Sequence, residues 1–159
     1  MIDYGLMVAI LGAALAATLA GIGSILGVRT VGQASAGLVS ENPDIFGKVL
    51  ILTALPGSQG IYGFLAAVII ANKLGILTGA PIDISIGMGL QILMAALPVG
   101  LGGLFSAIYQ GRLAAAGVTI VAKKPDAAGK GVILSAIVET YAVLGLLVTI
   151  LLVNGLAIG

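Results

Sequence analysis

Gly131-Val-Ile-Leu-Ser-Ala-Ile-Val-Glu139-Thr-Tyr-Ala-Val-Leu-Gly145-Leu-Leu-Val-Thr-Ile-Leu-Leu-Val153 is predominantly apolar and carries a single charged residue, one carboxylate. The stretch is long enough to cross a bilayer as a helix. At about 1.5 Å per residue, Glu139 lies roughly 12 Å beyond Gly131. The hydrocarbon core is about 30 Å thick, so that depth is close to the midplane. A carboxylate there costs about 2.5–3.5 kcal/mol on insertion scales, and such a residue marks a functional site by default.

Composition agrees with a membrane-embedded chain. It is 60% hydrophobic and only 8% charged, against about 25% charged in soluble domains. There is no Cys and no His, which excludes disulfides, thiolate or imidazole metal sites and histidine proton relays. The net charge of +1 makes no case for nucleic acid. Trp is absent and Tyr and Phe are few, so the aromatic belts are thin. That fits a chain packed between copies of itself. Met1-Ile-Asp3-Tyr4 has no basic leader, and the apolar run after it is expected to be a first membrane helix and not a cleaved signal.

Length and lack of charge predict four spans: about Leu6–Val28, Val49–Asn72, Ile84–Ile108 continuing toward Val121, and Gly131–Val153. The connections are Ser40–Asp44, Lys73–Asp83 and Lys123–Asp126. Arg29, Lys48, Arg112, Lys123, Lys124 and Lys130 gather toward the first and third connections, and Lys73 alone lies on the other side. This bias places those two connections in the cytoplasm and both termini outside. The chain is expected to be a multi-pass protein of the cell membrane.

The sequence also repeats itself. Pro43-Asp-Ile-Phe-Gly-Lys48 resembles Pro125-Asp-Ala-Ala-Gly-Lys130. In register, Gly57 falls on Glu139 and Gly63 on Gly145. The expected fold is therefore all-α, four transmembrane helices arranged as two fused, duplicated hairpins, residues 1–80 and 81–159. Only the second hairpin carries the carboxylate. Ala9, Ala13, Ala17 and Gly21, and likewise Gly103, Ala107, Gly111 and Ala115, recur every fourth residue. Small-residue stripes of this kind let helices pack closely in lipid, so helices one and three are expected to form a crowded inner layer.

Helix two carries Leu55-Pro-Gly-Ser58-Gln59-Gly-Ile-Tyr62. Positions 55, 58, 59 and 62 share one helix face, which bears a hydroxyl, an amide and a phenol. Pro56 lacks an N–H and breaks the backbone ladder, freeing carbonyl oxygens near the turn. Gln110 is a further amide at depth, and Glu139 supplies the charge. These are oxygen ligands suited to a hard cation. A proton needs only the carboxylate, and Mg²⁺ or Ca²⁺ would want more than one, so the set points to Na⁺. Taken singly, Ser58, Gln59 and Gln110 could simply join helices by hydrogen bonds. Tyr62 could donate to Glu139 or only pack.

Leu55–Phe64 and Val138–Gly145 resemble the membrane rotor proteolipid of V-type rotary ATPases, called subunit K in the bacterial sodium-pumping enzymes. The resemblance spans essentially the whole chain, and a carboxylate confined to the second hairpin is the V-type pattern. It implies a ring of identical subunits turning against a stator that bears a basic residue. It also implies central-stalk partners at the cytoplasmic loops and ATP hydrolysis in other subunits. In site residues it implies that Glu139, Gln110, Gln59, Ser58 and the Leu55 backbone oxygen hold Na⁺, while Tyr62 bonds the glutamate. Ser58 stands where close relatives have threonine, with the hydroxyl retained. No organic cofactor is implied. The chain has no phosphate loop of its own, since Gly129-Lys130 lacks both the leading glycine and a following Ser or Thr. The same rotor carrying H⁺ is the nearest alternative. A four-helix drug exporter would place its glutamate in the first helix among aromatics, and a scaffold would leave Glu139 without a role.

Overall fold

A computed structural model describes residues 3–157. The expected outer positions of Met1 and Gly159, and the hairpin limits drawn there, lie outside the described residues. The chain forms α1 (Tyr4–Glu41), α2 (Phe46–Ala54), α3 (Ser58–Lys73), α4 (Ile86–Lys123) and α5 (Ala128–Gly155). Single 3-10 turns precede α2 (Pro43–Ile45), join α2 to α3 (Leu55–Gly57) and precede α5 (Pro125–Ala127). Four stretches are long and apolar enough to cross a membrane: Tyr4–Glu41, Pro43–Lys73, Ile86–Lys123 and Pro125–Gly155.

Each helix start has a local cause. Asp3 accepts the Leu6 N–H at 2.9 Å, and its other oxygen accepts the Ile84 N–H at 3.3 Å. One carboxylate thus caps α1 and ties the first span to the third. Ser85 caps α4 through the Met88 N–H at 3.2 Å. The first and third connections are nearly the same turn. Asn42 (φ −142°, ψ 92°) and Lys124 (φ −145°, ψ 83°) each stand before a proline, which pushes the preceding residue into extended backbone. The sequence repeat is therefore also a backbone repeat. The second connection turns on Gly75 (φ 71°) and Gly79 (φ 73°). A Cβ on Gly75 would also collide with the Ala80 backbone oxygen.

Against the expected end near Val28, α1 continues as helix to Glu41. Arg29 marks where the apolar sequence stops, but a helix is free to leave the hydrocarbon and continue. At 38 residues it measures about 57 Å, well beyond the roughly 30 Å apolar core. The third helix likewise runs on to Lys123, as its sequence suggested.

The two hairpins meet along α1 and α4, with α3 flanking α1 and α5 flanking α4. Glycines set this contact. A Cβ on Gly111 would come within 2.5 Å of the Gly27 Cα, and one on Gly12 within 2.7 Å of the Leu93 Cα. The working stripe on α1 is Gly5, Ala9, Gly12, Ala16, Ala20, Gly23 and Gly27, all buried. It mixes steps of three and four, as a 3.6-residue period requires. The strict every-fourth-residue ladder drifts off this face: Ala17 is only half-buried, and nothing lies within 4 Å of a Cβ at Gly21.

Two apolar clusters fill the interior. One holds Ala9, Ala16, Ile70, Ile92 and Val99, and the other Val31, Val49, Leu52, Val118 and Val121. Between them in sequence position lie the fully buried amides of Gln59 and Gln110. Buried amides need hydrogen-bond partners, and their partners form the site.

Candidate functional site

The site starts from a broken helix. Pro56 cannot donate, so the second span tightens into the 3-10 turn Leu55–Gly57 and restarts at Ser58. The Leu55 oxygen accepts the Ser58 backbone N–H and also the Ser58 hydroxyl at 3.0 Å. It is thus turned away from the ordinary helical ladder. The Ser58 hydroxyl also lies 3.4 Å from Gln59 Oε1.

From there the polar contacts run inward as one chain. Gln59 Nε2 donates to Gln110 Oε1 at 2.5 Å, between two side chains with no exposed surface. Gln110 Nε2 donates to the Ser135 backbone oxygen at 3.2 Å and to Glu139 Oε2 at 3.4 Å. From the other side, the Tyr62 hydroxyl donates to Glu139 Oε1 at 2.5 Å. Both carboxylate oxygens therefore accept a hydrogen bond, one from each hairpin. Of the two roles open to Tyr62, the geometry selects one: it bonds the glutamate. Thr140 does not join, being exposed and bonded to the Ile137 oxygen at 2.8 Å.

All six residues singled out in the sequence — Leu55, Ser58, Gln59, Tyr62, Gln110 and Glu139 — thus fall into one connected group. Three helices supply it: the second span its neutral oxygens, α4 an amide, α5 the charge. The other five acids, Asp3, Glu41, Asp44, Asp83 and Asp126, sit at helix ends or in connections, far from mid-span. Glu139 is half-buried and borders an open groove of about 410 Å³ lined by Leu50, Ile51, Ala54, Leu55 and Ser58. A second groove, about 380 Å³, lies on its other flank against Ala136, Val143 and Leu144. The carboxylate is therefore reached sideways, from the surface that faces lipid or a neighbour. This geometry sets one carboxylate in a connected group of neutral polar side chains beside a lateral opening.

Three hydroxyls escaped the sequence reading. Ser24 of α1 accepts the Gly60 N–H at 2.7 Å and lies 3.4 Å from the Gly57 oxygen. Thr149 of α5 accepts the Val99 N–H at 3.2 Å, just after Pro98 in α4. In both cases a hydroxyl from a neighbouring helix accepts a backbone N–H near a proline-containing turn of a helix: Val99 directly after Pro98, and Gly60 in the first turn of α3. Ser135 is fully buried and its hydroxyl has no partner among the described residues. The one sequence signal for Ser24 is that it is the sole hydroxyl between Thr18 and Arg29.

The chain matches the ATP synthase C-subunit family twice, over residues 11–70 and 93–152. The two matches start 82 positions apart, which is also the spacing from Gly57 to Glu139. The chain is 47% identical over 159 residues to the V-type sodium ATPase subunit K of Enterococcus hirae, covering 96% of this chain and 98% of that one. It is 40% identical over 150 residues to the A-type ATP synthase subunit K of Methanocaldococcus jannaschii, covering 94% of this chain and 63% of that one. With the 16 kDa proteolipid of the V-type proton ATPase of Homo sapiens the identity is 29%, over 94% and 93% of the two chains. With four membrane-length helices, a duplicated hairpin and a mid-span glutamate, the chain belongs to the ATP synthase C-subunit family.

Proposed function

We propose that this chain is the ion-carrying rotor subunit of a V-type sodium ATPase and binds Na⁺ at Glu139. One observation carries the reading: the mid-span carboxylate meets a row of neutral polar side chains from both hairpins, bonded by Tyr62 and by Gln110, whose own Oε1 accepts from Gln59. A lone proton would need no such row. The strong similarity to a subunit K of a V-type sodium ATPase supports the same cargo. Proton carriage by the same rotor is the second reading, supported by the lower similarity to proton ATPase proteolipids.

In this reading Glu139 supplies the charge, and Gln110, Gln59, Ser58 and the Leu55 backbone oxygen supply neutral ligands. Loading exchanges the Gln59–Gln110 hydrogen bond for two contacts to the cation. Tyr62 keeps its bond to Glu139 and holds the carboxylate's direction. The loaded site is neutral and can pass lipid, whereas a bare carboxylate there is costly. A basic side chain on the stator then displaces the ion. ATP is hydrolysed in other subunits, and this chain is not catalytic. Identical copies form a ring embedded in lipid, and the central stalk contacts the first and third connections. Those connections face the cytoplasm of the cell, both termini lie outside, and the duplicated hairpins comprise residues 1–80 and 81–159.

The test is ion dependence of the assembled ATPase in membrane vesicles. Radioactive Na⁺ uptake driven by ATP, lost in Glu139→Gln, is the expected result. Uptake of protons that ignores added Na⁺ favours the second reading. ATP-driven Na⁺ transport that survives Glu139→Gln removes Glu139 from the account.

A further inference from the structure

The second span breaks in the middle of the membrane, and helix α3 has to begin there. The first amides of any helix lack partners in their own ladder. In lipid no water is present to take them. Ser24, on α1, adds a bond to the first turn of α3 from outside the span. It is 9% exposed, accepts the Gly60 N–H at 2.7 Å and reaches the Gly57 oxygen at 3.4 Å. Its hydroxyl therefore grips the backbone on both sides of Ser58 and Gln59. Gly60 makes room for it: a Cβ there would stand 3.1 Å from Ser24 Oγ and 3.3 Å from Ser24 Cβ.

The duplicate serves as an internal control. At the repeat spacing of 82, Ser24 corresponds to Ser106 and Pro56 to Val138. The helix carrying Val138 runs unbroken from Ala128 to Gly155 and has no freed amide at that level. Ser106 accordingly bonds only within its own helix, to the Gly103 oxygen at 3.5 Å. The cross-helix bond occurs where the proline does.

We propose that Ser24 is a positioning residue for the cation site: by clamping Gly57 and Gly60 it fixes where Ser58 and Gln59 point and so sets which ion size the site prefers. This rests on the Na⁺ reading given above. Ser24 touches no ion itself. It acts through the turn, so its loss should change ion discrimination and not only stability.

The experiment uses the intact ATPase in membranes and measures how Na⁺ and K⁺ protect Glu139 from a hydrophobic carbodiimide. A hydrogen bond of ordinary strength predicts that Ser24→Ala raises the half-protecting Na⁺ concentration roughly five- to tenfold. The ratio of half-protecting K⁺ to Na⁺ should narrow by a similar factor. Ser24→Thr, which keeps the hydroxyl, should stay close to the wild type. An unchanged midpoint and ratio in Ser24→Ala overturns the proposal. If Ser24→Ala rings do not assemble, Ser24→Cys, a weaker partner of similar volume, carries the same expectation. Assembly failure of both, with an ion ratio in Ser24→Thr narrowed as far as loss of the hydroxyl predicts for Ser24→Ala, shows that the hydroxyl does not set the preference and also overturns it. Absence of Na⁺ protection in the wild type is a different result. It removes the sodium reading on which this inference rests, whatever Ser24 does.

Discussion

The two hairpins share a backbone plan but divide the chemistry. The connections at Asn42-Pro43 and Lys124-Pro125 have nearly the same dihedral angles, and the family matches both halves. Yet the second span is broken at Leu55–Gly57 and uncharged, while the fourth is one continuous helix carrying Glu139. The broken helix exposes backbone and side-chain oxygens, and the intact one holds a charge at a defined depth. Glu139 receives one hydrogen bond from Tyr62 of the first hairpin and one from Gln110 of the second. The two unlike halves thus contribute to one connected polar group around Glu139.

The largest expected effect comes from removing the charge. A unit charge pair at about 4 Å is worth about 4 kcal/mol at an effective dielectric of 20, so Glu139→Gln should weaken cation binding roughly a thousandfold. Ring assembly should persist. Restoring the carboxylate on the other hairpin, as Gly57→Glu in Glu139→Gln, should not rescue transport, because Val138 stands where the first hairpin has Pro56 and the fourth helix has no broken turn to offer oxygens. Rescue measured by Na⁺ uptake would mean that the halves are interchangeable.

Next is the seam between the halves. Gly111→Val places a side chain where a Cβ is already 2.5 Å from the Gly27 Cα, and overpacking of this kind costs about 1–3 kcal/mol or more. The ring should lose assembly or melt well below the wild type in detergent. Gly21→Ala, with nothing within 4 Å, should have no such effect, which separates the working stripe from the apparent one.

A smaller effect is expected at the hydrogen bond that joins the halves. Bonds to charged groups contribute about 1.5–3 kcal/mol, so Tyr62→Phe should raise the Na⁺ concentration needed for half-maximal ATPase activity about tenfold or more. The smallest lies at the opposite end of the spans. Lys73 donates to the Val153 oxygen at 2.5 Å and the Leu156 oxygen at 3.1 Å, capping α5 from the first hairpin. A cation at a helix C-terminus is worth about 0.3–1 kcal/mol. Lys73→Met should therefore lower the ring's melting temperature slightly and leave ion binding alone.

Much of this is legible in the sequence, for physical reasons. Glu139 declares itself because a charge in an apolar span is costly. Leu55, Ser58, Gln59 and Tyr62 declare themselves because one helical face gathers polar groups beside a proline. Gln110 needs only depth. Ser24 and Thr149 are not legible, because each serves a backbone amide on another helix, and a single hydroxyl in an apolar run carries no periodic signal. The length of α1 is underestimated from Arg29 because charge limits the bilayer-embedded portion of a helix and not the helix itself. A small-residue stripe of period four is right over Ala9 and Ala13 and over Gly103, Ala107 and Gly111, and drifts off the contact only toward Ala17, Gly21 and Ala115, since packing follows 3.6.

The most direct measurement is carbodiimide labelling of Glu139 in the assembled ring, with and without Na⁺ at neutral pH. The reagent attacks the protonated carboxyl, and a bound cation keeps it ionised and shielded. Protection by Na⁺ at concentrations where K⁺ gives none is the predicted result. Fast labelling that depends on pH alone and ignores Na⁺ would contradict the sodium site.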